Sequence, residues 1–529
     1  MLAKWRITGN RLRSRVLESP DNGGTGLQRY THRTAKGRQT MPITRREFMQ
    51  FVALTPGLKK LVQTTGHAST IAGYRADLLP SQKELWDWQV WMAKLGPKYT
   101  GNHAHTAFIE FLASEFQKTG IEITRDSYAF TRWDAKRCEI NVAPKSGAAF
   151  KVPFTSYYPY SGQTPPEGVS GELVDAGTPA EVKIPAHAQG KILFVKSPVK
   201  PLPFSEWYTP LGSYSKDIEL PSTVLTAIGQ ALDAPMLDQF KKAGALGVIL
   251  SWTNVSDENA AYQYTPFTHP LQDIPALWVG RDSGIKLSNL TGTGAKVTLT
   301  LEADLVPDTR TETLIGTLAG TSDDEVLIVN THTDGPNATE ENGALGCLAL
   351  AKYFARLPKA DRRRTYVFVL ATGHFALSYV PSITGFMKNH PDIIKRTVAA
   401  LTIEHLGAEE WRDDSTGKYR ATGRDELSII FTRNKATANA MLEGVEGTLD
   451  RRVVVAKPTA TGPFFGEGGP LSAAGIPTIG YIPQPDYLLA GPPDCCLGKL
   501  SAPLLHAEVH AFAKVMHVLD RTSAEDLKE

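Results

Sequence analysis

Three short apolar runs limit what this chain can fold into: residues 326–330, 364–370 and 398–403. Each is about one strand long and lacks a polar face. Such a strand must be covered on both sides, as in a parallel sheet flanked by helices. Each run also leads into polar residues at its carboxyl end. The first passes through Asn330 to His332 and Asp334, the second through Leu370 to Thr372 and His374, and the third through Ile403 to Glu404 and His405. Open α/β sheets place their ligand sites at these strand ends. If the three strands are parallel neighbours, their polar ends share one rim.

After the first run, a polar loop delivers Glu340, Glu341 and Asn342. Gly343 then opens a helix over residues 343–357, with Leu345, Leu348, Ala349 and Phe354 at helical spacing. An imidazole and carboxylates at such a corner suit a divalent metal. Acidic residues also favour a helix amino end, so the stretch alone leaves both roles open.

The rest of the chain supports alternating strands and helices. Residues 81–95 and 101–120 read as helices, and 121–124 and 128–130 as strands. His103 and His105, at the start of the second helix, are expected in capping or solvent contact. Beyond Thr309, strands over 313–318 and 325–330 are expected to pair. Further strands follow at 427–431 and 475–481, and a last helix at 504–519 carries His506 and His510 at i and i+4. The overall expectation is a doubly wound, mostly parallel α/β sheet. Residues 76–150 and 306–525 would make the main domain, and the proline-rich stretch 151–305 an insert.

The 529 residues carry a formal net charge of +2, which gives nucleic acid or an anionic membrane no electrostatic footprint. No apolar run is long enough for a membrane helix. The four cysteines, Cys138, Cys347, Cys495 and Cys496, lack paired metal-type spacing. Residues 1–75 read as a disordered or targeting segment. Within it, T-R-R-E-F-M at 44–49 resembles a twin-arginine export signal, followed by a weakly apolar patch at 51–58. The resemblance implies export and leaves Met41 as an alternative start.

Two wider resemblances follow. The strand 190–196, the segment K-K-A-G-A-L-G-V-I-L at 241–250 and the strand I-P-A-L-W-V at 274–279 together resemble the protease-associated domain, a small mixed α/β module. The order strand, H-x-D, acidic-Asn-Gly, helix, strand and I-E-H-L-G resembles the co-catalytic zinc aminopeptidase family. That family also contains glutamate carboxypeptidase II and often carries such an insert. L-G-P-K-Y-T-G at 95–101 matches the usual lead-in, so the resemblance spans residues 80–520.

Carried over by position, the resemblance makes His332 the first ligand, Asp334 its orienting partner, Glu341 the bridging carboxylate and Glu404 a further ligand. The family's base-and-ligand glutamate pair falls on Gly373 and His374, and its last histidine on Leu488. Glycine cannot accept a proton, and leucine cannot bind metal. His332, Glu341, Glu404 and His374 are therefore the expected metal ligands. They would hold zinc, one ion in preference to two. Glu340 and His374 are the candidates to replace the missing base. The implied activity is a divergent metal-dependent hydrolase cleaving a small peptide or amide. The alternative is a catalytically inactive relative that binds a partner on the same scaffold.

Overall fold

The computed structural model describes residues 71–214, 218, 234–235, 237–448 and 452–529. The twin-arginine-like segment lies outside them. The described part opens with two capped helices. In α1 (Gln82–Lys94) the Ser81 hydroxyl accepts from Glu84 N, and in α2 (His103–Lys118) Asn102 accepts from His105 N. The two short strands expected at 121–130 are one 21-residue strand, β1 (Ile123–Ala143). It runs antiparallel to a 23-residue strand, Lys296–Leu318, through two register shifts, so neither strand needs a break.

Between them come β2 (Val169–Asp175), β3 (Lys191–Ser197), β4 (Tyr208–Tyr214), β5 (Gly247–Trp252), β6 (Ala276–Val279) and then β7 (Lys296–Leu318) itself. The second half alternates: β8 (Val326–His332), α3 (Gly343–Arg356), β9 (Thr365–Ala371), α4 (Ser382–Asn389), β10 (Thr397–Ile403), β11 (Ser428–Phe431), α5 (Lys435–Val445), β12 (Val453–Pro458), α6 (Gly468–Ala473), β13 (Thr478–Tyr481) and α7 (Ala502–Arg521).

The labelled strands join one mixed sheet in the order β6-β5-β3-β2-β7-β9-β8-β10-β13-β11-β12-β4, with β1 alongside β7. Its centre, β9-β8-β10-β13, is parallel throughout. Helices cover both faces. Leu327, Val329, Tyr366 and Phe368 pack with Leu345, Leu348 and Phe354 of α3, whereas Val326, Ile328, Val367 and Val369 pack with Ile383 and Phe386 of α4. Burial on both faces explains why these strands lack polar alternation.

One expected pairing is corrected. Residues 313–318 lie against β9, not against 325–330. The crossover through α3 brings β9 back between them, parallel to β8. A second observation concerns the proline-rich stretch: β4 lies at the far edge of the sheet, antiparallel to β12.

Candidate metal centre

The parallel centre of the sheet gathers the expected residues. His332 lies opposite Ala371 of β9, and Asn330 lies opposite Thr402 of β10. His332, the 372–374 turn and Glu404–His405 therefore leave the sheet at one level. His332, Glu340, Glu404 and His405 are buried, and His374 is nearly so.

Three imidazoles converge there, each held in the same way. His332 Nδ1 donates to the Asp334 carbonyl (2.9 Å), His405 Nδ1 to the Pro483 carbonyl (2.6 Å), and His374 Nδ1 bonds Glu467 Oε1 at 2.7 Å. A carbonyl oxygen can only accept, so His332 and His405 carry a proton on Nδ1, and as neutral rings they leave the Nε2 lone pair free. Metal-binding histidines are held by this kind of outer contact. His332 and His374 are also stacked, with centroids 4.1 Å apart and planes 11° apart. His405 adopts φ 60°, a left-handed backbone that turns its ring back toward the rim.

The carboxylates are arranged differently from the expectation. Glu341 does not face the histidines. Its carboxylate is in ion-pair contact with Lys98 Nζ at 2.6 Å, both side chains being fully buried. Burial lifts the Glu341 carboxyl to about 7 despite the opposing pull of Lys98. Glu340 takes the position facing the rings, with its Oε2 3.1 Å from His405 Nε2. Glu404 Oε2 lies 3.9 Å from His332 Nε2 and 3.8 Å from His405 Nε2, while its Oε1 accepts from Glu467 N (2.8 Å). Gly466, at φ 71°, makes room for it: a Cβ there would lie 2.6 Å from both Glu404 oxygens.

Glu467 is the residue that sequence reasoning missed. It accepts from Ser382 Oγ and Ile383 N as well as bonding His374. The only local signal is an acidic residue among the glycines of F-F-G-E-G-G at 464–469. Burial lowers the affinity of His374 for its second proton, but the bond to Glu467, its charge, and those of Glu404 and Glu340 outweigh it. The His374 pKa rises to about 9. His405 is raised against burial by Glu340 and Glu404. Glu340 is lowered in turn, because His405, His332 and His374 overcome its burial.

Asp334 has a role other than the one expected. Its carboxylate does not touch the His332 ring. It accepts from Gly373 N (3.1 Å), His374 N (3.3 Å), Phe375 N (2.9 Å) and Thr100 Oγ1 (2.5 Å), tying down the turn that carries His374. Gly373 sits at φ 97°, and a Cβ there would come within 2.4 Å of Val380. A larger side chain at residue 373 is therefore strained. His105 is buried, not solvent-facing: it accepts from Gly101 N and bonds Thr333 Oγ1 at 2.8 Å. Burial pushes its pKa down to about 4. His506 and His510 bond each other at 3.1 Å, and Tyr74 Oη bonds His510. Leu488 contributes its carbonyl to Asn337 Nδ2.

The residues present fit a divalent ion. His332 Nε2 is buried without a hydrogen-bond partner, and His405 Nε2 and Glu340 Oε2 have only each other, at 3.1 Å; an unpartnered buried nitrogen is a costly state unless something binds there. Two sets can offer one donor atom each within 4.8 Å: His332, Glu404 and His405, or His332, Glu340 and His374. Both are two imidazoles and a carboxylate, a composition found in catalytic zinc sites. Both need His332 Nε2, and its Nδ1 is already engaged. One ion can use that nitrogen at a time.

The proline-rich stretch roofs the site. Phe267 stacks on His374 (5.5 Å, 28°) and on Phe375 (4.6 Å). Tyr264 N donates to Leu489 O (2.7 Å), and Leu271 N to Tyr379 Oη (2.6 Å).

No family model and no curated protein matches the sequence. Solved structures do match the fold. A zinc aminopeptidase from Bacillus subtilis aligns over 85% of this chain and 98% of its own, with 15% identity and a TM-score of 0.58. A peptidase M28 precursor from Shewanella amazonensis aligns over 84% and 98%, with 16% identity and a TM-score of 0.60. An aminopeptidase from Aneurinibacillus sp. strain AM-1 aligns over 84% and 95%, with 15% identity and a TM-score of 0.53. At this identity the likeness is one of fold.

Proposed function

We propose that the protein is a metal-dependent hydrolase of the aminopeptidase type, holding one zinc ion through His332, Glu404 and His405. The observation that carries this reading is the shared arrangement of three imidazoles, each anchored at Nδ1, with the Nε2 of His332 and of His405 turned toward buried carboxylates. The fold likeness to zinc aminopeptidases supports it. Zinc bound there would polarise a peptide or amide carbonyl as a Lewis acid. Glu340, whose Oε2 faces the rings 3.1 Å from His405 Nε2, is the proton acceptor in place of the side chain absent at Gly373. His374, kept protonated by Glu467, is the donor to the leaving amine. Phe267 over His374 confines the substrate to a small peptide or amide. Export through the twin-arginine-like segment belongs to the same proposal.

Another observation favours a non-catalytic relative. Glu340 lies within ion-pair distance of His405, and Glu467 of His374, so protonation of these two rings would balance the pocket without an ion. Metal uptake separates the two readings. Purified protein dialysed against zinc is expected to retain about one equivalent, and His332→Ala far less. A wild-type protein retaining under about a tenth of an equivalent would eliminate the hydrolase. With zinc bound, turnover of aminoacyl and N-acyl amides is expected to disappear in Glu340→Gln.

A further inference from the structure

Resting on the metal reading above, we infer that Lys98 is a positioning residue that selects which of two adjacent glutamates enters the metal centre. Glu340 and Glu341 are neighbours in the chain and chemically identical, and both are buried. Only one faces the histidines. The difference between them lies in Lys98, on the segment after α1. Its ammonium contacts Glu341 Oε1 (2.6 Å), the Gly96 carbonyl (2.8 Å) and the Met92 carbonyl (3.3 Å), one acceptor for each proton.

The backbone fixes the same register. Lys98 N donates to Gly335 O (2.8 Å) and Gly335 N to Lys98 O (2.9 Å), an isolated antiparallel bridge. Both glutamates pack against the bare Cα of Gly335: a Cβ there would lie 2.5 Å from Glu341 Oε2 and 2.6 Å from Glu340 Cγ. The loop's other end is held by Asn337, which donates to the carbonyls of Tyr487, Leu488 and Ala490 and accepts from Glu340 N. Within this frame, the buried ammonium is the feature that draws Glu341 down and leaves Glu340 to the rings. Without it, Glu341 is a buried carboxylate with no counter-charge, free to compete for the same ion.

The test loads full-length protein with cobalt(II) and reads the visible absorption spectrum and affinity, with thermal melting as the folding control. Lys98→Met is expected to weaken cobalt binding by about 10–100-fold, the range for removing an outer-shell support, and to change the spectrum. Lys98→Met with Glu341→Gln, which removes the competitor, is expected to restore both. Lys98→Arg, which keeps the charge, is expected to stay closer to wild type. Unchanged cobalt binding in a folded Lys98→Met protein would overturn the inference. So would failure of the folded double variant to recover. If wild type binds no cobalt, the hydrolase reading fails, and Lys98 is then judged by histidine-ring NMR of the metal-free protein. Lys98→Met, or the double variant if the single one does not fold, must shift the His405 ring signals, and unshifted signals overturn the assignment.

Discussion

His332 is oriented by the backbone of Asp334, not by its side chain: the ring nitrogen meets the Asp334 carbonyl at 2.9 Å, and the carboxylate points the other way. The two ends of one aspartate thus serve different histidines, the carbonyl holding His332 and the carboxylate the turn of His374.

Asp334→Asn should therefore cost stability while sparing the ion. The substitution puts an amide N–H among groups that all donate, and a charge-assisted bond of this kind contributes roughly 1.5–3 kcal/mol. Urea unfolding of the metal-free protein should register that loss, with zinc retention near wild type. Lost zinc at unchanged stability would refute the assignment.

The metal-free protein should lose stability as pH rises from the ordinary histidine value through 9. The raised pKa of His374, about 9, means the fold binds that proton more tightly than the unfolded chain. Its contribution is full below the ordinary histidine value and is lost as pH rises through 9. It is worth on the order of 3 kcal/mol. His105 acts in the opposite direction: its pKa of about 4 gives stability that is lost as pH falls from the ordinary value through 4. Melting temperatures in EDTA across pH 6.5–10 should trace the alkaline loss, and His374→Gln should flatten it.

Gly466→Ala should abolish zinc retention. The new methyl would sit 2.6 Å from both oxygens of Glu404 at a backbone angle unfavourable to L-residues. Strain of this kind costs about 1–3 kcal/mol, so a lower melting temperature should accompany the lost metal.

Phe267→Ala should open the route to His374 while leaving the deeper rings covered. Diethyl pyrocarbonate, followed by peptide mapping, should modify His374 faster in the variant and leave His332 and His405 protected. Equal rates in both proteins would mean that Phe267 does not cover the site.

If the segment around residues 44–49 directs export, mature protein from the native host should lack about sixty amino-terminal residues. Intact mass would show it.

The parts of this arrangement readable in sequence are those fixed by strand periodicity. His332, His374 and Glu404 follow continuous apolar strands, so sheet register alone places them together. Choosing between Glu340 and Glu341 was beyond sequence reading, because the answer lies with a lysine more than two hundred positions away. His405 escaped the ligand set because a left-handed residue reverses the direction a strand end would suggest. Glu467 escaped because its loop has neither periodicity nor a familiar spacing, and only packing against α4 and β10 gives it a partner.

The pairing of β4 with β12 limits how the protein can be taken apart. Residues 208–214 leave the proline-rich stretch to close the distant margin of the sheet. A version trimmed of residues 151–305 would present residues 453–458, four of them buried valines and alanine, as an open edge to other molecules. Such a truncation would associate through that edge instead of yielding a smaller monomer, so this stretch is not a detachable cassette.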